Sequence, residues 1–150
     1  LMAGDAGVNR THERVVSQRT SKALRHLLRL NVVDGTGTKA EVAGYLVGGK
    51  TGTAEKAGIN GYRRQALLSS FVGVFPSTSP QYVVLVMLDE PKGTKETFGY
   101  ATAGWTAAPV VGQVIRHAAP LLGVNIDNPN GPTPSEYVDL IKKGRQLASF

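Results

Sequence analysis

Two β-type runs stand very close together in this chain. Residues 67–75 read LLSSFVGVF and residues 82–88 read YVVLVML, with only PSTSPQ between them. A link that short can join antiparallel neighbours. It cannot carry the crossover that a parallel pair needs. Its prolines and hydroxyl residues are turn chemistry. The second run has no polar interruption, which predicts a central strand covered on both faces. Upstream, residues 42–54 hold β-favouring positions and end in a Gly-rich segment, and Gly58 and Gly61 mark a hairpin turn. The three runs therefore predict an antiparallel meander. This excludes a doubly wound fold with alternating strand and helix.

Helical periodicity lies on either side of the meander, giving an α+β expectation: an antiparallel sheet flanked by helices. Over residues 17–30, Ala23, Leu24, Leu27 and Leu28 share one face, while Arg19, Lys22, Arg25 and Arg29 occupy the rest. Ser17 suits an N-cap. Asn31 and the DGTGT run at 34–38 are expected to stop this helix. Residues 99–120 read as a loop entering a second helix. Val110, Val111, Val114, Ile115 and Ala118 form its stripe, Pro109 falls in its first turn, and Pro120 ends it. Residues 1–14 are polar and expected to be loosely ordered. Residues 123–134 read as a linker, and Thr133 to Glu136 form a capping box opening a tail helix at 135–143 with Tyr137, Leu140 and Ile141. The predicted division is 1–123 for the folded portion and 124–150 for linker and tail.

At 150 residues the chain predicts one domain. Its charge of +6 suits an anionic partner without requiring one. No nucleic-acid role is expected, because a basic helix more often packs one face and solvates the other. There is no cysteine, so disulfides and thiolate metal sites are excluded. His12, His26 and His117 are scattered without ligand spacing, so no metal site is expected. No run reaches the roughly 18 apolar residues of a membrane span. The chain opens on Leu1 in mid-pattern, as a piece of something longer would.

Residues 44–55 read GYLVGGKTGTAE. Gly44 with Gly49-Lys50-Thr51 satisfies the phosphate-loop pattern of nucleotide hydrolases. That reading needs a helix directly after Thr51, and the residues there are hairpin-forming instead. The rival reading takes Lys50, Thr51, Gly52 and Thr53 as an edge strand. Thr51 and Thr53 then share a face and offer two hydroxyls to a carboxylate. Gly52 allows close approach of a ligand or backbone. Lys50 supplies a cation, and an edge N–H can donate to an oxyanion. Pleating places Lys50 and Thr51 on opposite faces, so Lys50 has to reach the site from beneath. A third reading leaves the strand edge structural, with the basic helix and tail helix engaging partners as a scaffolding module.

The motif KTGTAEK, approached by GTGTKAEVAGYLVGG, resembles the third active-site motif of penicillin-binding proteins. SSFVGVFP, VVLVMLDEPKG and YATAGWTAAPVVGQVI follow in the order of that family's class B members, the septal D,D-transpeptidases, over roughly residues 15–123. The resemblance implies part of a five-stranded antiparallel sheet with helices on both faces. It implies that Lys50 serves a proton relay around a serine nucleophile. It also implies that Thr51, Gly52 and Thr53 bind the substrate, with the Thr53 amide in the oxyanion hole. The implied substrate is a peptidoglycan stem peptide ending in D-Ala-D-Ala, β-lactams bind in its place, and no cofactor is used. The remainder of the transpeptidase domain and divisome proteins are the implied partners. The implied location is the periplasmic face of the bacterial inner membrane.

The family also uses Ser-x-x-Lys and Ser-x-Asn, and neither occurs in residues 1–150. Thr36 and Thr53 stand three residues before Lys39 and Lys56, but both are Thr. The chain is therefore expected to be inactive alone, to lack two of the five strands, and to leave one edge of the 82–88 strand unpaired. Trp105 and Tyr100 flank a Gly-rich loop and are candidates for core packing or for a wall of the substrate groove.

Overall fold

The computed structural model describes residues 14–126, residue 60 excepted. Helix α1 spans Gln18–Asp34, and a short 3-10 turn at Thr38–Ala40 follows. Strands β1 (Gly48–Gly58), β2 (Gly61–Phe75) and β3 (Tyr82–Asp89) then form the sheet, and helix α2 (Ala107–Leu121) closes the described part. The sheet is wholly antiparallel in the order β1-β2-β3. The expected linker and tail helix, apart from residues 123–126, and the first 13 residues lie outside the described residues.

The β1–β2 hairpin turns where Gly58 and Gly61 predict it, with Gly61 at φ +108, a conformation that glycine adopts without a Cβ clash. Register is regular from Gly48 opposite Val74 to Glu55 opposite Leu67. It then shifts, and residues 64–66 of β2 bulge before Lys56 meets Arg63. The irregularity therefore lies beyond the KTGT segment and leaves its pairing intact.

One face of the sheet carries the core. Phe71 and Phe75 of β2 are fully buried, and Tyr82, Val84, Val86 and Leu88 of β3 pack beside them. Val111, Ile115 and Ala119 of α2 and Val32 of α1 join the same cluster. Gly49 of β1 is held to glycine by this packing. A Cβ there would lie 2.5 Å from the Phe71 ring. Removing this apolar surface from water is the main stabilising contribution, at about 25 cal/mol per Å².

Three expectations need correction. Among the described residues β3 pairs with β2 alone, which leaves the expected unpaired edge, but its two faces are not both covered: Val83, Leu85 and Met87 are 70%, 59% and 55% exposed. The unbroken apolar run thus has one face in the core and one uncovered among the described residues. Helix α1 runs through Asn31 to Asp34, because the Asn31 amide turns outward and donates to Gly49 O at 2.9 Å rather than breaking the helix. The buried faces of both helices are also rotated from those the periodicity selects. Leu24 and Leu27 are exposed while Arg29 is buried. In α2 the buried positions are Ala107, Ala108, Val111, Gly112, Ile115 and Ala119. Val111 and Ile115 of the expected stripe are thus buried, while Val114 is 39% exposed and small residues fill the rest of the inner face. Ser17 does cap α1, its hydroxyl accepting from Thr20 N at 3.0 Å.

Candidate active site

The four residues Lys50 to Thr53 lie extended within β1, at an open margin of the sheet. Strand continues to Gly58, with no helix entrance at Thr51. The phosphate-loop reading is therefore overturned, since such a loop needs a helix N-terminus facing the phosphates.

Backbone direction along this margin follows from the bonds that its carbonyls accept. Gly49 O takes the Asn31 amide, and Thr51 O takes the Lys50 ammonium at 2.8 Å. Gly52 O instead accepts from the Ser70 hydroxyl of β2 at 3.3 Å. In an antiparallel strand the N–H and C=O of one residue point the same way, and the direction alternates with period two. The Thr53 N–H consequently faces away from β2, at the open edge.

The Thr51 and Thr53 side chains open on one cleft of about 430 Å³, lined also by Thr36, Lys39, Thr102 and Trp105. Thr51 Oγ1 shares a 2.8 Å hydrogen bond with Thr36 Oγ1, and Lys50 Nζ donates to Thr51 Oγ1 at 3.2 Å. The pleating conflict between Lys50 and Thr51 is resolved by the length of the lysine stem, which folds back along the edge. Thr53 Oγ1 accepts from Ala103 N at 3.0 Å, tying β1 to the loop before α2. Gly52 is exposed, and a Cβ there would lie 2.7 Å from Ser70 Oγ. The glycine thus permits the Ser70 contact as well as an open strand surface.

Trp105 is half-buried and forms a wall of the cleft. Tyr100 stacks on it at 5.4 Å between ring centroids, Phe98 meets it edge-on at 5.6 Å, and Lys39 Nζ lies 4.2 Å from its ring. Reading by sequence named Trp105 and Tyr100 but missed Thr36 and Lys39. Both belong to the GTGTK run, which reads as a helix stop, as the approach to KTGT and as a Thr-bearing decoy of Ser-x-x-Lys, but not as part of the site. Among the described residues no cluster of three or more His, Asp or Glu is placed to hold a metal, and no helix is long and apolar enough to cross a membrane.

The cleft offers the Thr51 and Thr53 hydroxyls and the Lys39 ammonium, and the β1 edge beside it adds the Lys50 ammonium and the Thr53 N–H. That set suits an anionic group next to an acyl carbon. A lone Ser or Cys nucleophile with its base is not present among the lining residues.

Comparison with known proteins agrees with this geometry. The chain is 47% identical over 127 residues to a probable peptidoglycan D,D-transpeptidase FtsI of Caulobacter vibrioides, covering 79% of this chain and 22% of that protein. It is 46% identical to the stage V sporulation protein D of Bacillus subtilis, over 75% of this chain and 17% of that one. The chain thus spans about a fifth of the length of these relatives. Among solved structures, penicillin-binding protein 3 of Mycobacterium tuberculosis, complexed with ampicillin, superimposes with a TM-score of 0.66 at 30% identity, over 79% of this chain and 27% of that chain. The transpeptidase domain of penicillin-binding protein 3 of Burkholderia pseudomallei gives 0.65 at 34% identity, over 84% and 37%. The family model of the penicillin-binding protein transpeptidase domain matches residues 5–116. With most of its length matched and its KTGT strand lying extended at the sheet edge, this chain belongs to the penicillin-binding protein transpeptidase domain family.

Proposed function

We propose that the chain is the KTGT-bearing portion of a peptidoglycan D,D-transpeptidase, with residues 1–123 forming part of the catalytic domain and 124–150 a linker and tail. The observation that carries this reading is the β1 margin, where Thr51 and Thr53 open together on one cleft. Thr51 and Thr53 hold the terminal carboxylate of a D-Ala-D-Ala stem peptide, and Gly52 keeps the strand surface clear for the peptide backbone. The Thr53 N–H donates to the developing oxyanion. Lys50 lies within reach of the Thr51 hydroxyl and carries protons around a serine supplied from outside residues 1–150.

In the reaction that serine oxygen bonds to the carbonyl carbon of the penultimate D-Ala. The C–N bond breaks, and terminal D-Ala leaves with the proton taken from the serine. An amine of a second stem peptide then attacks the ester, forms the cross-link and returns the serine. A β-lactam enters the first step as a substrate mimic and stays attached. No step requires a metal or cofactor. The place of work is the periplasmic face of the bacterial inner membrane, with divisome proteins as partners. The uncovered residues Val83, Leu85 and Met87 suit packing against the remainder of the same domain, since exposed apolar patches on a sheet mark contact surfaces.

Labelling the full-length protein with a fluorescent penicillin tests the reading. Stoichiometric covalent label on the wild type, slowed by Lys50→Ala, is the expected result. Absence of label on a folded full-length protein, or an unchanged rate for Lys50→Ala, contradicts it.

A further inference from the structure

A second cleft lies away from the KTGT margin. It is small, about 150 Å³, and sits between α1 and the turn that joins β2 to β3. Lys22, Arg25, His26 and Arg29 line it from the helix, and Ser77 and Thr78 line it from the turn. The four helical positions fall at i, i+3, i+4 and i+7, so they form one face.

Among the described residues no carboxylate lines this cleft. Glu41 is engaged by Arg29, and Asp89 and Glu90 pair with Lys56 and Arg63 at the far end of β3. The sequence of α1 carries Arg19, Lys22, Arg25 and Arg29 with no acidic residue before Asp34, its last. Like charges three and four apart repel along a helix. Arg19 also stands in the first turn, which has no acidic residue and where the helix dipole disfavours cations. Both effects work against the helix, and an anion bound in the cleft relieves the repulsion between Lys22 and Arg25. Arg25 donates to Thr78 O, which fixes its guanidinium against the turn. Its Nε is buried and has no acceptor among the described residues. The Arg25 side chain, the cation face and the hydroxyl-bearing turn converge on a volume suited to a small tetrahedral oxyanion.

We infer that this cleft is a phosphate-class anion site, with Lys22 and Arg25 as charged donors and Ser77 and Thr78 completing the wall. The chemistry is shared by a free phosphate and by a phospholipid headgroup. The site is independent of the transpeptidase reading, because none of its residues line the KTGT cleft.

The test titrates inorganic phosphate into the intact protein at constant ionic strength, and measures sedimentation with phosphatidylglycerol and phosphatidylcholine vesicles. Lys22→Gln removes an exposed cation from the cleft, and Lys22→Arg restores the charge. Lys92→Gln removes an equal charge beyond the opposite end of β3. Saturable phosphate binding is expected, weakened about tenfold by Lys22→Gln, the loss of one charge-assisted contact. Lys22→Arg and Lys92→Gln are expected to bind as wild type. Phosphate binding with phosphatidylglycerol sedimentation that phosphate competes away identifies a headgroup. Phosphate binding without vesicle sedimentation identifies a soluble anion. An intact protein that binds neither overturns the inference, as does Lys22→Gln behaving like Lys92→Gln.

Discussion

Arg29 is 3% exposed, and its guanidinium is met by both oxygens of Glu41. Arg29 Nη1 also donates to Val47 O at 2.7 Å, immediately before β1 begins. The trio therefore anchors α1 to the segment that delivers Lys50. Glu41→Gln removes the charge and turns an amide N–H toward a buried cation. Breaking a buried pair on one side costs about 3–5 kcal/mol. Glu41 keeps 29% of its side chain exposed, so water relieves part of this. The expected loss is about 2–3 kcal/mol, or roughly 4–10 °C in Tm for a domain of this size. Replacing both partners, as Arg29→Met with Glu41→Leu, removes the stranded charge and leaves Val47 O without this donor. The double variant is expected to be less destabilised than the sum of the singles, with a coupling of at least about 1.5 kcal/mol. Urea unfolding of the intact domain, followed by circular dichroism for all four members of the cycle, reads this directly. A Glu41→Gln loss below about 0.5 kcal/mol, or simple additivity, refutes the reasoning.

Three further outcomes follow from the packing. Gly49→Ala places a methyl group against the Phe71 ring and Val72 O, and is expected to cost about 1–3 kcal/mol or more and to slow penicillin acylation together with stability; an unchanged midpoint and rate contradict that packing. Trp105→Ala removes a cleft wall and the seat of Lys39, so acylation by penicillin in the intact enzyme is expected to fall while the thermal midpoint moves less than for Gly49→Ala; wild-type acylation dismisses the wall role. Lys56, foremost, and Arg63 hold the Glu90 carboxyl below its usual value of 4.5, so this group favours the folded state above that pH and the benefit fades as pH falls through the lowered pKa. Comparing stability against pH for Glu90→Gln and wild type checks it, and curves that stay parallel below pH 4.5 contradict it.

What the sequence could reveal depended on how local the cause was. The hairpin at Gly58 and Gly61, the Ser17 cap and the extended KTGT run all rest on neighbouring residues, and each is found in the structure. Burial is a long-range property, and there local patterns misled. Periodicity chose Leu24 and Leu27 for the inner face of α1, but the Glu41 carboxylate and Val47 carbonyl draw Arg29 inward instead. The run at 82–88 reads as doubly covered, yet only its alternate residues face the described core. The cleft itself joins residues 36, 39, 51, 53 and 105, which no window of the sequence contains together. The Ala103 N–H to Thr53 bond, the folded-back loop at Thr36 and the Lys39–Trp105 contact bring them together.

The sharpest measurement compares acylation of the full-length protein by a penicillin and by its carboxyl methyl ester. If the Thr51 and Thr53 hydroxyls grip a carboxylate, the wild type reacts far faster with the free acid, and Thr51→Val with Thr53→Val erases most of that preference. Equal rates for acid and ester in the wild type, or a preference that survives in the double variant, would place the carboxylate elsewhere and remove the basis of the account.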